Sequence, residues 1–201
     1  MAMFADVSTL QSKTLNLSKG RSVWSPRSQI DKIKYEKTVQ KYIKKTGLPT
    51  LEGEAISITE KGGKIHSIIL SDRQEILCSS AVLTCGTFLN GLIHIGDKKI
   101  KAGRMGEESS VGITESLQSF GFISGRLKTG TPPRIKRDSV NWKKGEPGFG
   151  DKSPKALSYN TKNFKPKDEP CFAFRTNKKT HDLILKNISK SPMYSGDIDS
   201  S

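Results

Sequence analysis

Apolar residues first recur with a helical period. Tyr35, Val39, Tyr42 and Ile43 stand at i, i+4, i+7 and i+8, one stripe of a helix with 3.6 residues per turn. Ser25-Pro26 reads as its N-cap followed by proline at the first helical position, and Gly47 and Pro49 as its stop. The period then changes to two. Ala55-Ile56-Ser57-Ile58-Thr59 alternates, Lys61-Gly62-Gly63-Lys64 supplies turn residues, and Ile65 to Leu70 returns, which predicts a hairpin. A third short strand is expected at Glu75 to Cys78. The unbroken run Ala81-Val82-Leu83-Thr84-Cys85-Gly86 suits a core strand buried on both faces.

Past this meander the pattern breaks at Gly86, Gly91, Gly96, Gly103 and Gly106. Ser109 or Ser110 is expected to cap a helix carrying Ile113, Leu117 and Phe120 as far as Gly121. Residues 136–170 hold four prolines, three glycines and eight lysines among few aliphatics, so an exposed excursion without a core is predicted there. A last helix is expected from Thr180, with Leu183, Ile184 and Ile188 inward, ending before Ser191-Pro192. Strands between helices make the expected class α/β.

Composition narrows the picture. The 201 residues suffice for one domain or two small ones, and 33% hydrophobic against 27% charged residues permits a lean core. The longest apolar runs fall far short of the roughly 20 residues that cross a bilayer. The N-terminus has no basic segment followed by an apolar one, so a cytoplasmic, membrane-free protein is expected. Cys78, Cys85 and Cys171 are widely separated and read as reduced thiols. His66, His94 and His181 show no metal-ligand spacing.

Charge adds a partner class. The net charge is +14, which favours an anionic partner such as nucleic acid. By successive blocks, residues 1–50 carry +7, 51–100 carry −1, 101–150 carry +4 and 151–201 carry +4. The near-neutral block is the expected core. Lys34, Lys37, Lys41, Lys44 and Lys45 lie on the polar face of the first helix. Both a solvated face and a nucleic-acid contact remain open for them.

Three places can carry chemistry. The glycine-rich passage from Gly103 to Ser110 precedes a helix start, where free backbone N–H groups suit an anion or a cofactor edge, although ordinary loop-to-helix transitions look the same. Cys85 ends the core strand, where α/β proteins place ligands, but with no cation adjacent in sequence it reads rather as an inert small hydrophobe. Gly125-Arg126-Leu127-Lys128-Thr129-Gly130-Thr131-Pro132-Pro133-Arg134 combines cations with a glycine turn and a stiff Pro-Pro segment. Arg126, Lys128 and Arg134 can hold phosphates there, or be solvated charges on a structural loop.

That ten-residue motif belongs to a series: Leu17-Ser18-Lys19-Gly20, Ser25 to Gln29, Val82 to Gly91, His94-Ile95-Gly96, Gly103-Arg104, Thr176 to Asp182 and Lys190 to Gly196. Together they closely resemble the MnmG/GidA family, the FAD-binding subunit of a tRNA wobble-uridine modifying enzyme. The resemblance implies a glutathione-reductase-like Rossmann-type FAD/NAD(P)-binding fold with a β-meander and an inserted second α/β domain. It implies FAD and NADH as cofactors, a methylene-tetrahydrofolate carbon donor, tRNA as substrate, an MnmE-type GTPase partner and a homodimer. Residues 1–95 are expected to be the central part of the FAD domain, and 96–201 part of the inserted nicotinamide-associated domain.

The family's FAD contacts fall on Ala55 and Ser110, with Gly86 and Thr87 as neighbours by position. Arg104, Arg126, Lys128 and Arg134 lie in motifs resembling its active-site or tRNA-facing surface. The family's N-terminal GxGxxG phosphate cradle and its cysteine motifs have no counterpart here. A central fragment of a longer flavoenzyme, inactive alone, is therefore expected. The alternative is a non-catalytic basic RNA-binding module derived from a flavoprotein fold, and a third reading is an FAD-dependent reductase without an RNA substrate.

Overall fold

The computed structural model describes residues 1–96, 98–130 and 132–195. Thr131 of the ten-residue motif and Gly196 of the last one lie outside the described residues. In chain order the elements are α1 (Ala2–Ser8), β1 (Thr9–Leu15), β2 (Ser25–Ile30), α2 (Lys32–Thr46), β3 (Ala55–Lys61), β4 (Lys64–Leu70), β5 (Glu75–Leu77), β6 (Leu92–Ile95), β7 (Lys98–Lys101), α3 (Ile113–Ser119), β8 (Glu146–Gly148), β9 (Cys171–Ala173) and α4 (Lys178–Asn187). Two compact units result, Met1–Thr50 with Pro133–Thr176, and Leu51–Pro132 with Asn177–Ser201. Compactness thus follows a different line from the 95/96 boundary that the family resemblance implies.

In the first unit β1 pairs antiparallel with β2, Thr14 standing opposite Pro26. This pairing takes residues 25–30 out of the helix that Ser25-Pro26 was expected to start. Proline is tolerated because β2 is an edge strand. The helix begins instead at Lys32, where the Asp31 carboxylate caps it by accepting from the Lys34 N–H at 3.0 Å. Gly47 closes it in the left-handed region at φ 69°, as expected. Tyr42 packs edge-on against Phe4 of α1 with ring centroids 5.1 Å apart.

The stretch 136–170 contributes no buried residue, in line with an exposed excursion without a core, yet it is not a free loop. Its chain lies along the edge of β1 not used by β2. The Glu169 N–H donates to the Leu10 carbonyl at 2.9 Å, and the Asp151 N–H to the Ser12 carbonyl at 2.9 Å. The Asp151 carboxylate accepts from the N–H and hydroxyl of Thr14 at 2.9 and 2.8 Å. Gln11 donates its amide to the carbonyls of Gly148 and Glu169 at 3.0 and 2.9 Å. Asp6 accepts from Leu157 N–H, Ser158 N–H and the Thr161 hydroxyl at 2.8, 3.0 and 2.6 Å. Few aliphatics are needed because backbone and side-chain hydrogen bonds hold the segment.

In the second unit β3, β4 and β5 form a three-stranded antiparallel meander. Gly62 and Gly63 make its two-residue turn, both at positive φ (63° and 78°), the geometry that matches the twist of a hairpin. Ser67, fully buried on the middle strand, shares hydrogen bonds with Thr59 and Glu75 on its two neighbours. Ile58 and Leu70 from this meander, with Ala102 and Ile113, are the buried hydrophobic residues among those described.

Two further expectations are corrected here. Residues 81–86 form no strand, and Val82 is 87% exposed. Among the described residues no strand runs beside this run to take its backbone groups, and an apolar sequence without pairing partners stays irregular. The last helix does form, capped by the Asn177 side chain accepting from the Thr180 N–H at 3.1 Å. Its Leu183, Ile184 and Ile188 are exposed rather than inward, because among the described residues no element packs on them. No helix among the described residues is long and apolar enough to cross a membrane.

Candidate functional site: a groove beside the meander

In the second unit an open groove of about 460 Å³ lies at the start of β3. Gly53, Glu54 and Ala55 form one wall, residues 82–85 and Leu89 another, and residues 108–110 with Ile113 the third. The expected cofactor contacts Ala55 and Ser110 therefore line one cavity although 55 positions separate them. Gly86 and Thr87 continue from the second wall and are exposed.

The walls are held by a few long-range bonds. Ser116 of α3 bridges β3, accepting from the Ile58 N–H and donating to the Ile58 carbonyl, both at 3.0 Å. Gly112 precedes α3 at φ 110°, and a Cβ there would stand 2.2 Å from the Ile56 carbonyl oxygen. Only glycine permits both the backbone conformation and that approach. The Ser110 N–H donates to the Phe88 carbonyl at 2.9 Å and the Asn90 N–H to the Ser110 carbonyl at 2.8 Å, which fixes the third wall against the second.

The helix cap is Gly112, not Ser109 or Ser110 as the sequence suggested. The Glu115 carboxylate accepts from the Gly112 N–H at 2.9 Å and from the Asn90 amide at 2.8 Å. The Asn90 hydrogen bond first, then backbone N–H donors, hold the Glu115 carboxyl below its ordinary value of 4.5. Part of the expected anion cradle at 103–110 is already used within the chain. Gly103 and Glu107 spend their N–H groups on Glu107 and Arg104 carbonyls, and Ser110 spends its own on Phe88.

Of the candidate phosphate-binding cations, Arg104 is tied down. It makes a two-pronged ion pair with Glu107, both contacts at 2.7 Å, and its guanidinium lies 5.3 Å from the Phe88 ring centre. Arg126 donates to the Asn90 carbonyl at 3.0 Å, so both arginines brace the chain at 88–90. Lys128 is exposed in an irregular segment of the second unit, while Arg134 is exposed in the first. The ten-residue motif therefore spans the boundary between the units.

Sequence reasoning missed Glu54 and Glu108, which put carboxylates on the groove, and Asn90, Gly112 and Glu115, which build it. The spacing Gly112-Ile113-Thr114-Glu115 carries a signal, a glutamate three residues after a possible N-cap. The groove lining contains two carboxylates and neither Lys nor Arg. It suits a neutral or hydrogen-bond-donating ligand face of cofactor size, and disfavours a pyrophosphate. Among the described residues, no group of three or more His, Cys, Asp or Glu could hold a metal. Cys85 is a free thiol in the groove wall.

The sequence pattern of the family described as glucose inhibited division protein A, GidA, matches residues 1–201. The chain belongs to the GidA family. It is 42% identical over 199 residues to the tRNA uridine 5-carboxymethylaminomethyl modification enzyme MnmG of Thermodesulfovibrio yellowstonii, covering 98% of this chain and 32% of that protein. It is 40% identical to the protein of the same description from Cytophaga hutchinsonii, with 96% and 32% covered. The structure of Aquifex aeolicus GidA in one crystal form matches with a TM-score of 0.89 at 33% identity, over 100% of this chain and 35% of that one. A second crystal form gives 0.86 over 95% and 33%. The chain thus shares the mixed α/β fold of GidA over about a third of its relatives' length.

Proposed function

We propose that this chain is part of a flavoenzyme that, with a partner GTPase of the MnmE type, installs a carboxymethylaminomethyl or aminomethyl group on the wobble uridine of certain tRNAs. The reading is carried by the convergence of Ala55 and Ser110 on one groove, in a chain similar over its whole length to MnmG enzymes. When bound, FAD supplies a two-electron carrier. Ala55 and Ser110, with Gly86 and Thr87 beside them, would hold a non-phosphate portion of it, since the lining offers acceptors and apolar surface. NADH as reductant, a homodimeric assembly, a cytoplasmic location and the 1–95 and 96–201 division of the family's domains belong to the same proposal. Arg104 and Arg126 brace the groove, and Lys128 and Arg134 remain proposed RNA contacts.

The 201 residues alone are expected to bind FAD far below one per chain, because the groove lining carries two carboxylates and no Lys or Arg to face the pyrophosphate. A purified chain carrying stoichiometric flavin absorbance would overturn that expectation. The function itself is tested by grafting these 201 residues in place of the matching third of the Thermodesulfovibrio enzyme. In cells lacking the endogenous activity, mass spectrometry of tRNA should show the modified wobble uridine restored. Unmodified uridine from a stable, flavin-loaded chimera would refute the proposal. The comparisons do not favour the RNA-binding module without catalysis.

A further inference from the structure

The charge of the protein is segregated in space. The first unit holds 21 Lys and Arg against 8 Asp and Glu, a net +13, whereas the second holds 13 against 12, a net +1. Within the first unit the polar face of α2 carries an exposed cationic array. With 100° of rotation per residue, Lys34, Lys37, Lys41, Lys44 and Lys45 fall within about 100° of one another, along about 16 Å of helix axis. Tyr35, Val39 and Ile43 lie half-buried on the other face, and Tyr42 there packs on Phe4.

Helix stability explains only part of this array. Lys44 and Lys45 occupy the last turn, where the helix dipole favours cations. Lys34 stands in a first turn that contains no acidic residue, where the dipole disfavours it. Lys37, Lys41 and Lys45 are successive i, i+4 neighbours of like charge, each pair opposing the helix. Among the described residues none of these lysines forms an ion pair. Glu36 is hydrogen-bonded by Gln40, and Asp31 caps the helix. Beside the stripe runs a groove of about 620 Å³, in which Lys34, Lys37 and Lys41, with Thr38 and the helix-capping Asp31, rim the aliphatic side chains of Val7 and Ile33.

We infer that the lysine stripe of α2, with this groove, is a docking face for the phosphate backbone of folded RNA. Lys34, Lys37 and Lys41 contact successive phosphates, and Val7 and Ile33 offer an apolar floor. The inference rests on the proposed tRNA-modifying function for the identity of the RNA. Its own ground is the charge complementarity of an unpaired cationic face on a unit of net +13.

The test is anisotropy titration of a labelled tRNA transcript with the 201-residue chain between 50 and 200 mM salt. The variant Lys34→Glu/Lys37→Glu/Lys41→Glu should lose at least about tenfold in affinity. The slope of log K against log salt should fall by about 2 to 3, since each phosphate contact contributes roughly 0.7 to 0.9. Lys61→Glu/Lys64→Glu, on the exposed β3–β4 turn, should stay within about twofold. A Lys34→Gln/Lys37→Gln/Lys41→Gln variant with an unchanged melting temperature should show a smaller loss in the same direction.

The inference is overturned by an unaltered chain that does not bind tRNA, by equal losses in the two charge-reversed variants, or by an unchanged salt slope. It is overturned too by an acidic peptide that displaces the transcript as effectively as unlabelled tRNA. A chimera that fails to modify tRNA, while the chain binds tRNA through α2, would refute the proposed function and leave this inference standing.

Discussion

The two units of this protein solve the same problem with different interactions. Asp6, Ser8, Thr9, Gln11 and Ser12 are buried in the first, while every buried hydrophobic residue among those described belongs to the second. The first unit is stitched by directional bonds from β1 to a proline- and lysine-rich segment, and it carries nearly all the net charge. The second excludes water around Ile58, Leu70, Ala102 and Ile113, is nearly neutral, and holds the groove. A unit with few aliphatics depends on pairing its donors and acceptors, because each buried polar group left without a partner costs about 1 to 3 kcal/mol; the buried Ser8 and Ser28 hydroxyls are the exceptions in it among the described residues. An apolar core tolerates imprecise direction but demands close fit.

The contrast sharpens or fails on substitution. The largest expected effect is Gly112→Ala, which meets both a left-handed φ and the Ile56 carbonyl. A loss of about 3 kcal/mol is expected from urea unfolding, together with loss of the α3 contact with β3. A loss under about 1 kcal/mol would mean that the groove wall yields easily.

Asp6→Ala should cost about 2 to 3 kcal/mol, by leaving three donors without their acceptor. Hydrogen exchange should quicken at residues 157–161 while the amides of β3, β4 and β5 stay protected. Equal acceleration in both units would dissolve the distinction between them. Asp6→Asn retains one acceptor oxygen and should fall between.

The smallest effect is a titration. The Glu115 carboxyl is held low by Asn90 and backbone N–H groups, so its ionised form is the one the fold favours. Its stabilising contribution is therefore complete above about pH 4.5 and disappears as pH falls through the lower folded value. Carboxyl NMR should place its midpoint below the ordinary value, and Asn90→Ala should raise that midpoint. No movement on Asn90→Ala would show that the side-chain bond is not what holds it.

Much of the local structure was legible in residues that are neighbours along the chain. The β3–β4 hairpin follows from alternation interrupted by Gly62-Gly63, and the stop of α2 from Gly47. The start of α2 was misread because Ser25-Pro26 has a helix-start signature that pairing with β1 overrides. Residues 81–86 have a buried-strand signature, but a strand requires a partner to take its backbone groups. The groove was half legible: Ala55 and Ser110 entered through family resemblance, while Gly112, Asn90 and Glu115 acquire meaning only when α3 is seen against β3.

The sequence by itself determined the meander, the two longer helices, the total charge and, through its motifs, the family. Each of these depends on residue type at short spacing. Only the tertiary structure decided that residues 133–176 join the first fifty, and hence that a +14 spread over four blocks divides into one unit of net +13 and another of net +1. It also decided which polar residues are buried, and that Ala55 and Ser110 line one groove. Contacts between residues far apart in the chain follow from which surfaces and hydrogen-bonding groups remain unsatisfied after local structure forms, and no short stretch of sequence contains both partners.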